Sequence, residues 1–156
     1  MSEVELILLN EGKNCTLYSI QFISEDEAEY EKFYNKFIED ARLNQDLLRI
    51  VQIIDNIAEK GALERYFRYE GKMSDSVMAI PTISSKLRLY CLRISEGILV
   101  LGNGGIKKSK TYQEDDSLRG YVLNLQTFEN LLKEGIKDGT VIVSERKIET
   151  DKTFEV

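Results

Sequence analysis

Hydrophobic and polar positions alternate at the start of the chain, shift to helical spacing, and alternate again in the middle. Residues 1–10 place Val4, Leu6 and Leu8 on one face and Ile7 and Leu9 on the other. This predicts a strand buried on more than one side. Glu11-Gly12-Lys13-Asn14 has the composition of a turn. Residues 15–23 then set Leu17, Ser19 and Gln21 against Tyr18, Ile20 and Phe22, so the two runs predict an opening hairpin. Ser24 and Glu27 match a capping box, in which a hydroxyl and a carboxylate satisfy free backbone N–H groups reciprocally. Tyr30, Phe33, Phe37 and Ala41 follow at helical spacing. After a break at residues 43–46, Leu47, Ile50, Val51, Ile54, Ile57 and Ala58 form a second stripe that ends at Lys60-Gly61. Residues 24–60 therefore predict a helical hairpin covering one face of a sheet. The carboxylates from Glu25 to Glu31 suit the solvated first turn of a helix, where the dipole favours negative charge.

Residues 63–69 alternate weakly and interleave Arg65 and Arg68 with Tyr66, Phe67 and Tyr69. Residues 71–74 read as a loop, and residues 77–80 as a short strand ended by Pro81, the only proline. The clearest strand is 86–94. Leu87, Leu89, Cys91 and Arg93 point one way; Arg88, Tyr90, Leu92 and Ile94 point the other. Ser95-Glu96-Gly97 supplies a turn, and residues 98–101 return as an apolar central strand. Gly102-Asn103-Gly104-Gly105 predicts a bulge or a bent strand end. It lacks the lysine of a phosphate-cradling loop, and no helix follows it. Residues 114–136 predict one helix, or two joined near Gly120 or Asn124. Residues 140–148 predict a last strand and 149–156 a frayed tail. The expected fold is α+β: a twisted antiparallel sheet with an αα-hairpin on one face and a C-terminal helix plus strand extension.

The length of 156 residues suits a single domain spanning 1–156. No apolar run reaches the roughly 18–20 residues of a membrane span. The first residues lack a basic segment and a cleavage site, so a cytoplasmic protein is expected. Cys15 and Cys91 show no CxxC spacing and are expected to be buried, reduced thiols. Histidine is absent, which removes the usual Ser-His-Asp and Cys-His catalysis and most zinc sites. Neither a metal nor a cofactor is expected. The net charge of −6 hides an asymmetry. Residues 1–60 carry 6 basic and 13 acidic side chains, residues 61–112 carry 9 and 4, and residues 113–156 carry 6 and 10. The middle third is a basic island between acidic flanks. Arginines interleaved with aromatics, and lysines clustered at a strand end, are residue types that grip phosphates and stack on bases.

The pieces LRLYCLRI, SEG, ILVLGNG and KKSKTY, after a strand and a helical hairpin, resemble the core of the RelE/HigB toxin superfamily, with the phage-derived HigB-like members closest. The resemblance covers roughly residues 15–125. It leaves residues 1–14 as an extra N-terminal strand and 126–156 as a C-terminal extension. It implies a RelE-like endoribonuclease that cleaves mRNA, possibly on the ribosome, and is held inactive by a cognate antitoxin. Arg88, Lys107, Lys108 and Tyr112 are similar to that family's catalytic set, with Arg65, Arg68, Lys72, Lys86 and Lys110 as RNA-binding candidates. Where some members carry catalytic lysines before the arginine strand, this chain has Ala79, Ile80 and Pro81. A non-catalytic protein acting through protein contacts on the same scaffold is the alternative expectation.

Overall fold

The computed structural model describes residues 2–69, 76–82, 86–108 and 116–156. Its elements are β1 (Glu3–Glu11), β2 (Thr16–Phe22), α1 (Glu29–Phe37), α2 (Asn44–Lys60), a 3-10 turn (Glu64–Tyr66), β3 (Arg68–Tyr69) and β4 (Val77–Pro81). There follow β5 (Leu87–Ser95), β6 (Ile98–Ile106), α3 (Asp116–Asp138), β7 (Ile142–Val143), β8 (Ile148–Glu149) and β9 (Phe154–Glu155). The main sheet has the order β3-β4-β5-β6-β2-β1-β9, and β7 and β8 form a separate hairpin.

Alternation along the central strands gives each face of the sheet its own core. Leu17, Leu87, Leu89, Cys91, Leu99 and Leu101 pack under α1 and α2 with Phe33, Leu47, Ile50 and Ile57. Tyr18, Ile20, Tyr90, Leu92, Ile98 and Val100 pack under α3 with Val122, Leu125, Phe128 and Leu132. The fold is thus α+β with helices on both faces, and the expected αα-hairpin covers one of them. One expectation fails: the sheet is mostly antiparallel, but β2 and β6 run parallel. These strands are joined through the helical hairpin and three further strands, so no tight turn forces them to oppose.

Local chemistry moved several boundaries. The first helix starts at Glu29, not Ser24. Residues 23–27 are turn, and the Glu31 carboxylate accepts the Ala28 N–H at 3.0 Å. Lys32 bridges Glu25 and Glu29 at 2.7 and 2.6 Å, which gathers this acidic turn. Gly61 ends α2 at φ +103°, a conformation side chains rarely adopt. The third helix is continuous through Gly120 and Asn124. The stretch 140–148 is not one strand but the two short strands of the β7–β8 hairpin, closed by Ser144 N–H donating to the Lys147 carbonyl at 2.9 Å. The expected frayed tail is ordered: β9 pairs with Glu3 and Val4, and Phe154 is buried edge-on against Phe128 at 4.9 Å. Strand β1 is much less buried than its apolar run implied. Only Val4 is fully covered, because the helices stop short of it and β9 flanks only its first residues.

Candidate nucleic-acid interface

Strands β5 and β6 form the middle of the sheet and end together at Leu87 and Ile106. Beyond that pair the Lys107 N–H donates to the Lys86 carbonyl at 2.7 Å, so the two lysines sit side by side. Arg88 pairs with Gly105 and lies between Leu87 and Leu89 of the α1/α2 core. Alternation therefore turns it to the α3 face. Its guanidinium is half-buried and donates to the Leu87 carbonyl at 3.0 Å. Lys86 and Lys108 are exposed. The first turns of α3 lie over the same spot, because a Cβ at Gly105 would meet Leu118 at 3.2 Å. The first turn of that helix, which carries Asp116, thus lies near the cation group.

The glycines of β6 serve close approach. The register slips by one residue between Leu89–Gly104 and Cys91–Leu101, which is the expected bulge, but the strand runs on to Ile106 instead of ending. A side chain at Gly104 would collide with the Arg88 carbonyl, and one at Gly102 would press on Leu125 of α3.

The pairing of β2 with β6 stops at Ser19–Leu101 although both strands continue, so the sheet forks there. Ser19 holds the fork: its buried hydroxyl donates to the Leu101 carbonyl at 2.7 Å and accepts the Tyr30 N–H at 3.2 Å. Helix α1 lies over the fork. From it Lys36 donates to Asn103 Oδ1 at 3.2 Å, to the Gly104 carbonyl at 3.0 Å and to the Tyr121 hydroxyl of α3 at 3.2 Å. Its ammonium also lies 5.1 Å from the centre of the Tyr121 ring. The two helices cover opposite faces, and only the opened edge of β6 allows this contact. Lys36 and Tyr121 therefore join the cation group one residue from the Arg88–Gly105 pair. Sequence reasoning missed both. The one available signal was a lysine on the last turn of a helix beside a buried Asn103.

Of the expected site residues, Lys86, Arg88, Lys107 and Lys108 come together. Arg68 pairs with Ala79, which pairs with Tyr90, so it shares the face of Arg88 but stands two strands away, about 10 Å. Arg65 turns onto its neighbour Tyr66, with its guanidinium 5.2 Å from the ring centre. Neither joins the cluster. Lys72, Lys110 and Tyr112 lie outside the described residues. Arg93, also in the basic island, is used by the fold: its Nε donates to the Ala62 carbonyl at 2.6 Å.

A cavity of about 580 Å³ lies at the opposite end of the hairpin, among Asn14, Lys60, Gly61, Glu96, Gly97, Glu145 and Arg146. Its walls are turns rather than converging catalytic groups. Among the described residues no helix is long and apolar enough to cross a membrane. Comparison of the chain with protein-family models, curated proteins and solved structures returns no match.

Proposed function

We propose that this chain binds RNA at the Lys86/Arg88/Lys107 end of its sheet and acts there as a RelE/HigB-like endoribonuclease. The observation that carries the reading is the meeting of Lys86, Arg88 and Lys107 on adjoining strand ends, beside Lys36 and the first turn of α3. In an acidic protein, several cations on adjoining strand ends favour a polyanion at that place. The order of strand, helical hairpin and four strands, ending in this cluster, supports the RelE-like arrangement.

Cleavage by internal transfer forms a bond from the ribose 2′-oxygen to phosphorus and breaks the bond to the 5′-oxygen. The 2′ proton goes to a base, and the departing oxygen takes a proton. Clustered cations favour the extra negative charge of the pentavalent phosphorane. Arg88, Lys107 and Lys108 are assigned that role, and Tyr112 a proton-transfer role. The cognate antitoxin and the ribosome are the partners this reading implies.

The test is incubation of the purified protein with an end-labelled RNA, and its expression in cells with mRNA integrity followed. Cleavage is expected for wild type and a loss of at least 100-fold for Arg88→Ala. Equal products from both proteins, or none from wild type in either setting, would discard the nuclease. Salt-sensitive binding without cleavage would leave an RNA-binding protein.

A further inference from the structure

Strand β1 offers half of a second site, on a different edge of the molecule. In an extended strand, the N–H and C=O of one residue point to the same side, and successive residues alternate. The Glu3 carbonyl accepts the Ile23 N–H at 3.0 Å, so Glu3, Glu5 and Ile7 face β2. The Ser2 carbonyl accepts the Val156 N–H at 2.9 Å, so Ser2, Val4, Leu6 and Leu8 face outward. Among the described residues, β9 pairs only with Glu3 and Val4. The outward N–H and C=O groups of Leu6 and Leu8 are therefore an open ladder, and β9 already shows that this edge accepts a strand.

Of the devices that usually blunt an edge, β1 carries charged side chains at Glu3, Glu5 and Glu11, none of which lies at Leu6 or Leu8. β1 holds no lysine, arginine or proline, and its one irregularity, an extra residue at Leu9, comes after the open stretch. Leu8 is 51% exposed. The two faces of this edge differ in chemistry. Val4 and Leu6 belong to the α3 side, so Leu8 extends an apolar row there. Glu3 and Glu5 are exposed on the opposite side, in register with Gln21, beyond which Glu25, Asp26 and Glu31 are exposed.

We infer that the outer edge of β1, at Leu6 and Leu8, docks an extended segment of a partner protein by strand addition. That segment alternates basic residues, which meet Glu5, with aliphatic residues, which meet Leu6 and Leu8. Opposite charges in neighbouring cross-strand positions favour such a pair, while an acidic strand is repelled. The local charge selects against a second copy of this chain: matching two β1 strands about Leu8 sets Glu5 against Glu11, and matching them about Ile7 brings Glu3, already covered by β9, to the other chain's Glu11. The site is independent of the RNA reading, since it shares no residue with it.

The experiment uses the full chain and three synthetic ten-residue peptides: alternating lysine and valine, alternating glutamate and valine, and the lysine–valine composition in two blocks. Amide exchange and chemical-shift titration by NMR report on Leu6 and Leu8. The alternating lysine peptide is expected to bind and to slow exchange of these two amides at least tenfold. Leu8→Pro removes one outward N–H without touching the β1–β2 ladder, and Glu5→Lys reverses the charge. Each is expected to weaken binding at least tenfold while the other amide shifts stay in place. Should either variant lose its native spectrum, Leu6→Pro and Glu5→Gln serve in its place. Equal binding of the blocked peptide, protection elsewhere, or no binding would overturn the inference. So would a concentration-dependent dimer that Leu8→Pro dissolves, because the edge would then belong to a second copy.

Discussion

The two ends of the β5–β6 hairpin use positive charge in opposite ways. At the turn end, cations are absorbed by the main chain. Arg146 donates to the Lys13 carbonyl at 2.7 Å and also to the Gly12 carbonyl. Asn14 gives its side-chain amide to the Glu59 carbonyl at 2.7 Å, and Arg93 satisfies Ala62. Four turns from distant parts of the chain are tied there. At the open end, Lys86 and Lys108 are exposed, and Lys107 and Arg88 stand beside them along two strand ends. The same residue types thus tie distant turns together at one end and leave exposed lysines on neighbouring strand ends at the other. Substitutions should separate the two ends: stability lost at the first, affinity lost at the second.

At the turn end the largest effect is expected at Gly97. A side chain there collides with the Glu145 carbonyl and lies 3.0 Å from Arg146 Cδ. Gly97→Val should cost at least about 3 kcal/mol in urea unfolding, because backbone of the β7–β8 turn must move. Arg146→Met removes the donor from the Gly12 and Lys13 carbonyls and should cost about 2 kcal/mol. A midpoint unchanged by Arg146→Met would mean that the turn end is not clamped as described.

Alkaline pH should loosen the whole core by a similar amount. Burial pushes the Cys15 thiol up to about 11, against the lowering influence of nearby Arg146, and burial pushes Cys91 higher still. The unfolded chain ionises its thiols above about pH 8.5, while the folded protein keeps them protonated. Stability is therefore fully present below that pH and falls as pH rises toward 11, by about 3 kcal/mol for Cys15 alone. Chemical denaturation at a series of pH values should show this slope, and Cys15→Ala should roughly halve it, Cys91 supplying the rest. The smallest stability effect belongs to the open end: Lys86→Ala and Lys108→Ala should each stay within about 0.5 kcal/mol of wild type.

Legibility in the sequence followed the same division. The β5–β6 hairpin could be read directly, since an apolar-rich strand stands on each side of the Ser95-Glu96-Gly97 turn, although the bulge shifts its register by one residue. The α2 stripe and its Gly61 stop were equally plain. Arg88 and Lys107 could be placed together because a single turn joins their strands. Lys36 and Tyr121 could not. Each looks like an ordinary residue on an amphipathic helix, and only the fork at Ser19 brings them to Gly104. The C-terminal strand was hidden for a related reason. Two residues carry too little pattern to predict β9, and their partner, Val4, lies at the other end of the chain. β1 misled in the opposite sense, because its apolar run suggested full burial where topology leaves an outer edge.

The most direct test of the open end is the salt dependence of affinity for a short single-stranded RNA. Each phosphate contact on a single strand contributes about −0.7 to the slope of log K against log salt. Wild type should bind with a slope near −2 to −3, and the triple substitution Lys86→Ala, Lys107→Ala, Lys108→Ala should bring it close to zero with an unchanged unfolding midpoint. Arg65→Ala with Arg68→Ala should alter the slope by less than one unit. A wild-type slope near zero, or a slope that survives the triple substitution, would contradict the assignment of this end of the sheet as the RNA-binding surface.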